Sequence, residues 1–244
     1  MKKLLVSMPV YNAEKYVDRA IQSVLNQTYS NFCLVITNDA STDRSFEIIQ
    51  KYKSHPKVII LSNKENGGCF YSKNMGFKYM ESGNFDVYTS HDADDYSDPT
   101  RFEEVMKAFE DDSIIGCLTG EKRIGDPLPK WFGNRVTVTM SHAFYSKEAF
   151  KALGYFDNAL CQSDLDFWGR LQKYADLSNK YKYTSSDEIL YFAEMTGSNM
   201  INIYDVETRL EYQKKSVKEI NKMLDPKDFY RPFFSIEESV KNKK

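Results

Sequence analysis

Apolar residues along this chain fall in short solid runs separated by stretches of helical spacing. Leu4-Leu5-Val6-Ser7-Met8 is a run of the type found in buried parallel strands, and Pro9 stops it. Residues 14–27 then carry apolar side chains at Tyr16, Val17, Ala20, Ile21, Val24 and Leu25, the spacing of one helix face. The alternation continues with a strand over 32–37, a helix opened by Ser41 as N-cap and running to about residue 53, and a strand over 57–61. A helix from 69 to about 80 and a strand over 85–90 follow. Strand and helix alternating four times predict a parallel sheet with right-handed crossovers.

After Pro99 the rhythm changes. The pattern predicts a helix over 101–110, a strand over 114–119, and a loop over 120–134 containing Pro127, Pro129 and Trp131. A strand of alternating character over 136–144, a short helix over 147–153 ending at Gly154, and a helix over 164–174 come next. Residues 181–194 hold one or two strands, and 205–223 form a strongly charged amphipathic helix. The fold class expected is α/β, with a parallel sheet flanked by helices in the first hundred residues and 224–244 a loosely attached tail.

The first four strands all end in polar residues or glycine: Asn12, Asp39, Asn66 with Gly67, and Asp92. In a parallel sheet these ends share the carboxyl edge, where α/β proteins place their ligands. The last of them, Ser90-His91-Asp92-Ala93-Asp94-Asp95, puts three carboxylates within four positions. Like charges this close repel unless a cation or solvent intervenes. The stretch therefore suits a divalent metal site held by Asp92 and Asp94, with Mn²⁺ or Mg²⁺ as the cation. It equally suits an acidic turn in which Asp98 and Pro99 open the next helix.

Composition narrows the function classes without choosing one. The chain has 244 residues, 41% hydrophobic and 28% charged, with a formal net charge of −2. Such a balance gives no general affinity for nucleic acid or anionic membranes. The four cysteines, Cys33, Cys69, Cys117 and Cys161, have no paired spacing and read as reduced thiols. No apolar run approaches the ~20 residues that cross a bilayer, and only about five apolar residues separate Lys3 from Pro9. A cytoplasmic protein is expected, peripheral at a membrane if something else brings it there.

Each part of a nucleotide-sugar site has a candidate. Asp39 suits an acceptor for the ring N–H of uracil, or a helix-capping turn. Asn66-Gly67-Gly68 lets backbone N–H groups approach phosphate ahead of a helix. Lys73, in the first turns of that helix, suits a phosphate partner or a solvated surface residue. Asp92 and Asp94 suit the donor ribose and the metal, with Ala93 between them at the donor site. Asp164, at a helix start, suits a general base for an acceptor hydroxyl, or an N-cap. Trp131 and Trp168 are possible sugar platforms, with core packing the alternative for Trp168.

The combination is more specific than its parts. Ser7-Met8-Pro9-Val10-Tyr11-Asn12, Ser23 to Tyr29, Asn38-Asp39-Ala40-Ser41-Thr42-Asp43, Asn66-Gly67-Gly68 with Lys73-Asn74-Met75-Gly76, and Asp92-Ala93-Asp94-Asp95 occur in that order. Downstream come Gly154-Tyr155-Phe156-Asp157 and Ser163-Asp164-Leu165-Asp166-Phe167-Trp168-Gly169-Arg170-Leu171. Together they resemble the family 2 glycosyltransferases of the GT-A fold, over roughly residues 3–200. The resemblance implies a single GT-A domain over 1–223 around a central mixed, mostly parallel sheet flanked by helices, with a nucleotide-sugar-binding half (1–98) and an acceptor-side half (99–223). The resemblance implies inverting, metal-assisted transfer of a sugar from a nucleoside diphosphate donor, most often UDP-linked, to a glycan or other acceptor, as in polysaccharide biosynthesis. It implies that Pro9, Tyr11 and Asp39 hold the nucleoside, that Asp92 and Asp94 form the metal motif, and that Asp164 is the catalytic base. Lys73 stands where that family usually has arginine.

Three positions depart from the family pattern. Ser163 replaces the glutamate before the base, and Cys33 replaces an acidic residue in the second strand. The late histidine that often completes the metal site is missing from residues 191–198, which leaves Glu194 or a water to substitute. The only histidines are His55, His91 and His142. These departures favour, as the alternative function, a weakened nucleotide- or glycan-binding module of the same fold. A sugar-1-phosphate nucleotidyltransferase is disfavoured because the opening loop lacks the Gly-rich, Arg-Lys-containing sequence usual there.

Overall fold

A computed structural model describes residues 1–124, 136–157, 162–194 and 206–232. Its strands are β1 (Leu4–Val10), β2 (Phe32–Asn38), β3 (Val58–Ser62), β4 (Val87–Ser90), β5 (Tyr96–Ser97), β6 (Ile114–Ile124), β7 (Val136–Ser146) and β8 (Lys182–Glu194). The helices are α1 (Val17–Leu25), α2 (Ser45–Gln50), α3 (Cys69–Ser82), α4 (Arg101–Ala108), α5 (Lys147–Leu153), α6 (Ser163–Ser178) and α7 (Val206–Lys222), with a 3₁₀ turn at Pro226–Phe229.

The strands form one sheet in the order β3-β2-β1-β4-β7-β6-β8-β5. Pairing is parallel from β3 through β4, and between β6 and β8. It is antiparallel where β7 joins β4 and β6, and where β5 joins β8. The mixed, mostly parallel sheet that the resemblance implies is therefore present, and its parallel run from β3 through β4 is the part the pattern predicts. Its physical basis is visible in β1. Leu4, Val6, Met8 and Val10 turn to one face and pack with Val17, Ala20, Ile21 and Val24 of α1. Leu5 turns to the other face and joins Phe77 of α3 and Phe167 of α6. Both faces are covered, so the strand reads as a continuous apolar run rather than an alternating one.

One close approach sets the height of α3 over β1. A Cβ on Gly76 would lie 2.3 Å from Ser7 Oγ and 2.6 Å from Ser7 Cβ. Glycine here lets the helix that carries Lys73 lie directly on the strand that carries Pro9. Two halves of the chain are then clipped together by Asn74, which is fully buried. Its side chain donates to the Phe156 carbonyl and accepts from the Phe156 N–H, both at 3.0 Å.

Several local expectations change. β1 continues through Pro9 to Val10, which the ladder allows because proline lacks only the donor. Ser41 does not cap α2, which starts at Ser45 behind Arg44. Instead the Ser41 hydroxyl accepts from Asn12 N–H at 3.3 Å and ties the first two strand ends together. β6 extends to Ile124 where a loop was expected, because its distal half pairs with both β7 and β8. The described part of the tail is not loose: Phe229 is fully buried, and the Arg231 N–H donates to the Leu153 carbonyl at 2.9 Å. Trp168 is 2% exposed and packs edge-on against Tyr183, so it is a core residue. Trp131 lies outside the described residues.

Candidate active site

The carboxyl ends of β1, β2 and β4 bring Pro9, Tyr11, Asn12, Asp39 and Asp92 to one edge, as their sequence positions imply. Tyr11 is half exposed at 51% and free to meet a ligand face. Asn12 adopts the left-handed conformation at φ 49°, tolerated by asparagine, and its side-chain carbonyl accepts from Thr42 N–H at 2.8 Å.

Asp39 is 2% exposed and does something the sequence did not suggest. Its Oδ1 accepts from Gly67 N–H at 2.8 Å and from Asn63 Nδ2 at 2.6 Å, while Oδ2 accepts from Gly68 N–H at 2.7 Å. Asn66 donates to the Asp39 carbonyl at 3.2 Å. The glycine N–H groups expected to face phosphate are thus engaged by the Asp39 carboxylate in this structure. The Asn66-Gly67-Gly68 loop braces Asp39, and Gly68 reaches it at φ 92°, where a side chain would be strained. A carboxylate offers about four lone-pair sites, so three bonds leave Asp39 one for a ligand N–H.

Lys73 is 3% exposed, not a solvated surface residue. Its Nζ lies 3.3 Å from Asp92 Oδ1 and 3.5 Å from the Ser141 carbonyl, to which it donates. Burial pushes an ammonium's pKa down, but the Asp92 carboxylate, with Cys69 and Asp164, outweighs this and holds Lys73 above its ordinary value. Ala93 beside Asp92 is buried. Asp98 turns the chain into α4, its Oδ1 accepting from Thr100 N–H and hydroxyl at 2.9 and 2.7 Å, so the turn and the acidic cluster are separate features.

Asp164 stands in the first turn of α6, half-buried. Its Oδ2 accepts from the Ser141 hydroxyl at 2.6 Å, a short charge-assisted bond. The Ser141 carbonyl in turn accepts from Ser90 Oγ at 2.7 Å. Ser141, on β7, therefore joins the end of β4, the lysine of α3 and the carboxylate of α6. Sequence reasoning missed it. Ser163, the residue that replaces the family glutamate, is buried with its hydroxyl donating to the Asp157 carbonyl at 3.0 Å.

The structure also finds a histidine. β7 pairs with β4 as Val87↔Ser146, Tyr88↔Tyr145 and Thr89↔Phe144, which carries His142 toward the acidic cluster. His142 Nε2 lies 3.9 Å from Asp92 Oδ2, 3.8 Å from Asp95 Oδ2 and 3.8 Å from Glu121 Oε2. Among the described residues, Asp92, Asp95 and His142 are the group whose ligand atoms all lie within 4.8 Å of one another. Asp94 is not in it. Glu194, the suggested stand-in, is held by Arg19 at 2.9 Å instead. Asp95 accepts from Tyr191 hydroxyl at 2.9 Å and from Glu194 N–H at 2.8 Å. Burial, then Asp94 and Asp92, raises the Asp95 pKa well above the carboxylate range. Burial, with Lys73 and Arg101 next, holds His142 well below the usual imidazole value, so its ring is neutral and able to ligate.

A family model for Glycosyl transferase family 2 matches residues 5–165. The chain belongs to that family. It is 27% identical over 208 residues to the chondroitin synthase of Pasteurella multocida (strain Pm70), covering 80% of this chain and 21% of that protein. It is 38% identical over 109 residues to the minor teichoic acid biosynthesis protein GgaB of Bacillus subtilis (strain 168), covering 43% of this chain and 12% of that protein. The chain thus spans about a fifth or less of these relatives. Among solved structures, residues 1–349 of S. aureus TarS in complex with UDP-GlcNAc superpose with a TM-score of 0.70 at 22% identity, covering 92% of this chain and 68% of that one. The mannosyltransferase PcManGT from Pyrobaculum calidifontis, in complex with GDP-Man and Mn²⁺, superposes with a TM-score of 0.65 at 15% identity, covering 93% and 67%. These likenesses establish the GT-A fold. No described helix is long and apolar enough to cross a membrane.

Proposed function

We propose that this domain transfers a sugar from a UDP-sugar to a hydroxyl of a glycan or other acceptor, with inversion at the anomeric carbon. The observation that carries the reading is the arrangement around Ser141. Its carbonyl accepts from Lys73, which pairs with Asp92, and its hydroxyl holds Asp164. A donor anchor and a general base are thus fixed to one residue. The TarS complex with UDP-GlcNAc supports the donor class, and the names of the chondroitin and teichoic acid relatives support a glycan acceptor.

In this reading Pro9, Tyr11, Asn12 and Asp39 hold the nucleoside, with the free lone pair of Asp39 taking the uracil N–H. Asp92 and Ala93 line the ribose, and Asn66 and Gly67 keep Asp39 in place. Asp164 removes the proton from the acceptor hydroxyl as its oxygen bonds to the anomeric carbon. The bond from that carbon to the diphosphate breaks on the opposite face, which gives inversion. Lys73 offsets the charge that appears on the departing phosphate. A divalent cation would add Lewis-acid stabilisation of the same charge. The donor set fits one: carboxylate oxygens, expected from Asp92 and Asp94, suit Mg²⁺ or Mn²⁺, and a neutral imidazole beside Asp92 favours Mn²⁺.

UDP release from a panel of UDP-sugars, with Mn²⁺, tests the reading. Turnover that falls ~10²–10⁴-fold in Asp164→Asn is expected, the usual worth of a general base. UDP binding without turnover on any donor or acceptor would instead support the alternative, a weakened binding module. Near wild-type rates in Asp164→Asn would exclude Asp164 as the base.

A further inference from the structure

We propose that the outward face of α7 docks this domain on an anionic lipid bilayer. The inference concerns where the domain works and does not depend on the transfer reaction.

The inner face of α7 is fixed to the rest of the fold. Ser216 donates to Asp166 at 2.8 Å, and Ile220 and Met223 are buried in the core that α6 shares. A Cβ on Gly169 of α6 would lie 2.8 Å from Ile220 Cδ1. These contacts decide which side of α7 turns outward. At about 100° and 1.5 Å per residue, Lys214, Lys218 and Lys222 make a row about 12 Å long on the side opposite Ser216, Ile220 and Met223. Lys215 flanks the row, and all four lysines are exposed. Among the described residues no ion pair engages any of them.

Beside the lysines runs an apolar stripe. Leu210 and Val217, seven residues apart and so about 20° from each other round the helix, are each 46% exposed. Leu224, seven residues further and just past the helix end, is 77% exposed. Single exposed aliphatic side chains are ordinary, but three at this spacing line up. A second copy of the chain is a poor occupant, because its lysine row would meet this one. A bilayer satisfies both features at once. Lysine stems lie along the apolar boundary with their ammonium groups at lipid phosphates, while the aliphatic side chains enter the acyl edge.

The whole chain carries a net charge of −2, so any attraction to an anionic surface is local to this face. Residues 214–222 hold four lysines against one glutamate, Glu219, which lies about 100° round the helix from Lys218. Glu207 and Glu211 precede the row.

Co-sedimentation of the 244-residue chain with lipid vesicles tests the proposal. Vesicles of equal parts phosphatidylglycerol and phosphatidylcholine should carry the protein down, and phosphatidylcholine alone should not. Added salt should release it. A basic side chain near an anionic surface is worth about 5-fold in partition, so Lys214→Gln, Lys218→Gln and Lys222→Gln together should weaken binding about 100-fold. Leu210→Ser with Val217→Ser should weaken it at least about 10-fold with every lysine in place. Lys51→Gln, Lys53→Gln and Lys64→Gln together make the same charge change at exposed positions elsewhere and should leave binding largely intact. All these side chains are exposed, so circular dichroism should show each variant folded. UDP release from soluble donors should be unchanged in the α7 variants, which separates docking from transfer. No binding of wild type to the mixed vesicles, equal binding to phosphatidylcholine, or equal loss in the two lysine sets would overturn the proposal. So would binding to immobilised poly-glutamate without binding to vesicles, which would assign the face to an acidic partner.

Discussion

Ser141 offers the sharpest mutational test of how Asp164, the proposed base, is positioned. Its hydroxyl lies 2.6 Å from Asp164 Oδ2, and its strand holds that geometry through the Ser90 and Lys73 contacts at its carbonyl. Ser141→Ala removes the donor and leaves the backbone contacts intact. A hydrogen bond to a charged group contributes about 1.5–3 kcal/mol when buried. Asp164 is half-buried, so the lower figure applies, and about 1.4 kcal/mol is tenfold in rate. In the proposed mechanism the bond orients Asp164 and not the donor, so a kcat about 10-fold lower is expected, with KM changed less than about 2-fold. Ser141→Thr keeps a hydroxyl and should keep most of kcat. In an Asp164→Asn background Ser141→Ala should have little further effect, because the two act as one unit. Steady-state UDP release from all four proteins measures this. An unchanged kcat in Ser141→Ala, or an equal further loss in the Asp164→Asn background, would refute the positioning role.

Two further predictions concern the frame that holds the site. Arg170 is fully buried and donates to Asp166 at 2.8 Å and to the carbonyls of Leu153, Phe229 and Tyr155 at 2.7, 2.9 and 3.0 Å. Arg170→Met leaves the buried Asp166 carboxylate without its cation and should lower unfolding free energy by about 3–5 kcal/mol in urea, with new proteolysis in residues 224–231; a loss under about 1 kcal/mol would contradict this. Gly76→Ala should cost about 1–3 kcal/mol by overpacking α3 on β1, and Ser7→Gly should restore most of it. Melting temperatures of the single and double variants check the pair, and no rescue would refute the contact.

The sequence makes this edge of the site legible because its residues follow consecutive strands. Asn12, Asp39, Asn66 and Asp92 converge once the strands are parallel and in order, and local pattern is enough to say so. His142 and Ser141 escape because they come from β7, an antiparallel strand about 50 residues after Asp92. Its alternating pattern marks a strand but not a partner. Continuing the Thr89↔Phe144 register sets His142 beside His91 and so beside Asp92, yet only the pairing reveals it. The bracing of Asp39 escapes for a related reason. Its tie to Gly67 and Gly68 spans 28 and 29 residues, and nothing local marks those N–H groups as taken. The expected Ser41 cap failed because that hydroxyl turns toward Asn12 across the strand ends, not along its own helix.

A structure of the protein with UDP and Mn²⁺ tests the central claim most directly. The account predicts uracil against Asp39 and Tyr11, the diphosphate beside Lys73 and Asp92, and an open space between the diphosphate and Asp164 for a sugar. UDP bound away from the β1, β2 and β4 strand ends, or a diphosphate that contacts neither Lys73 nor Asp92, would contradict it.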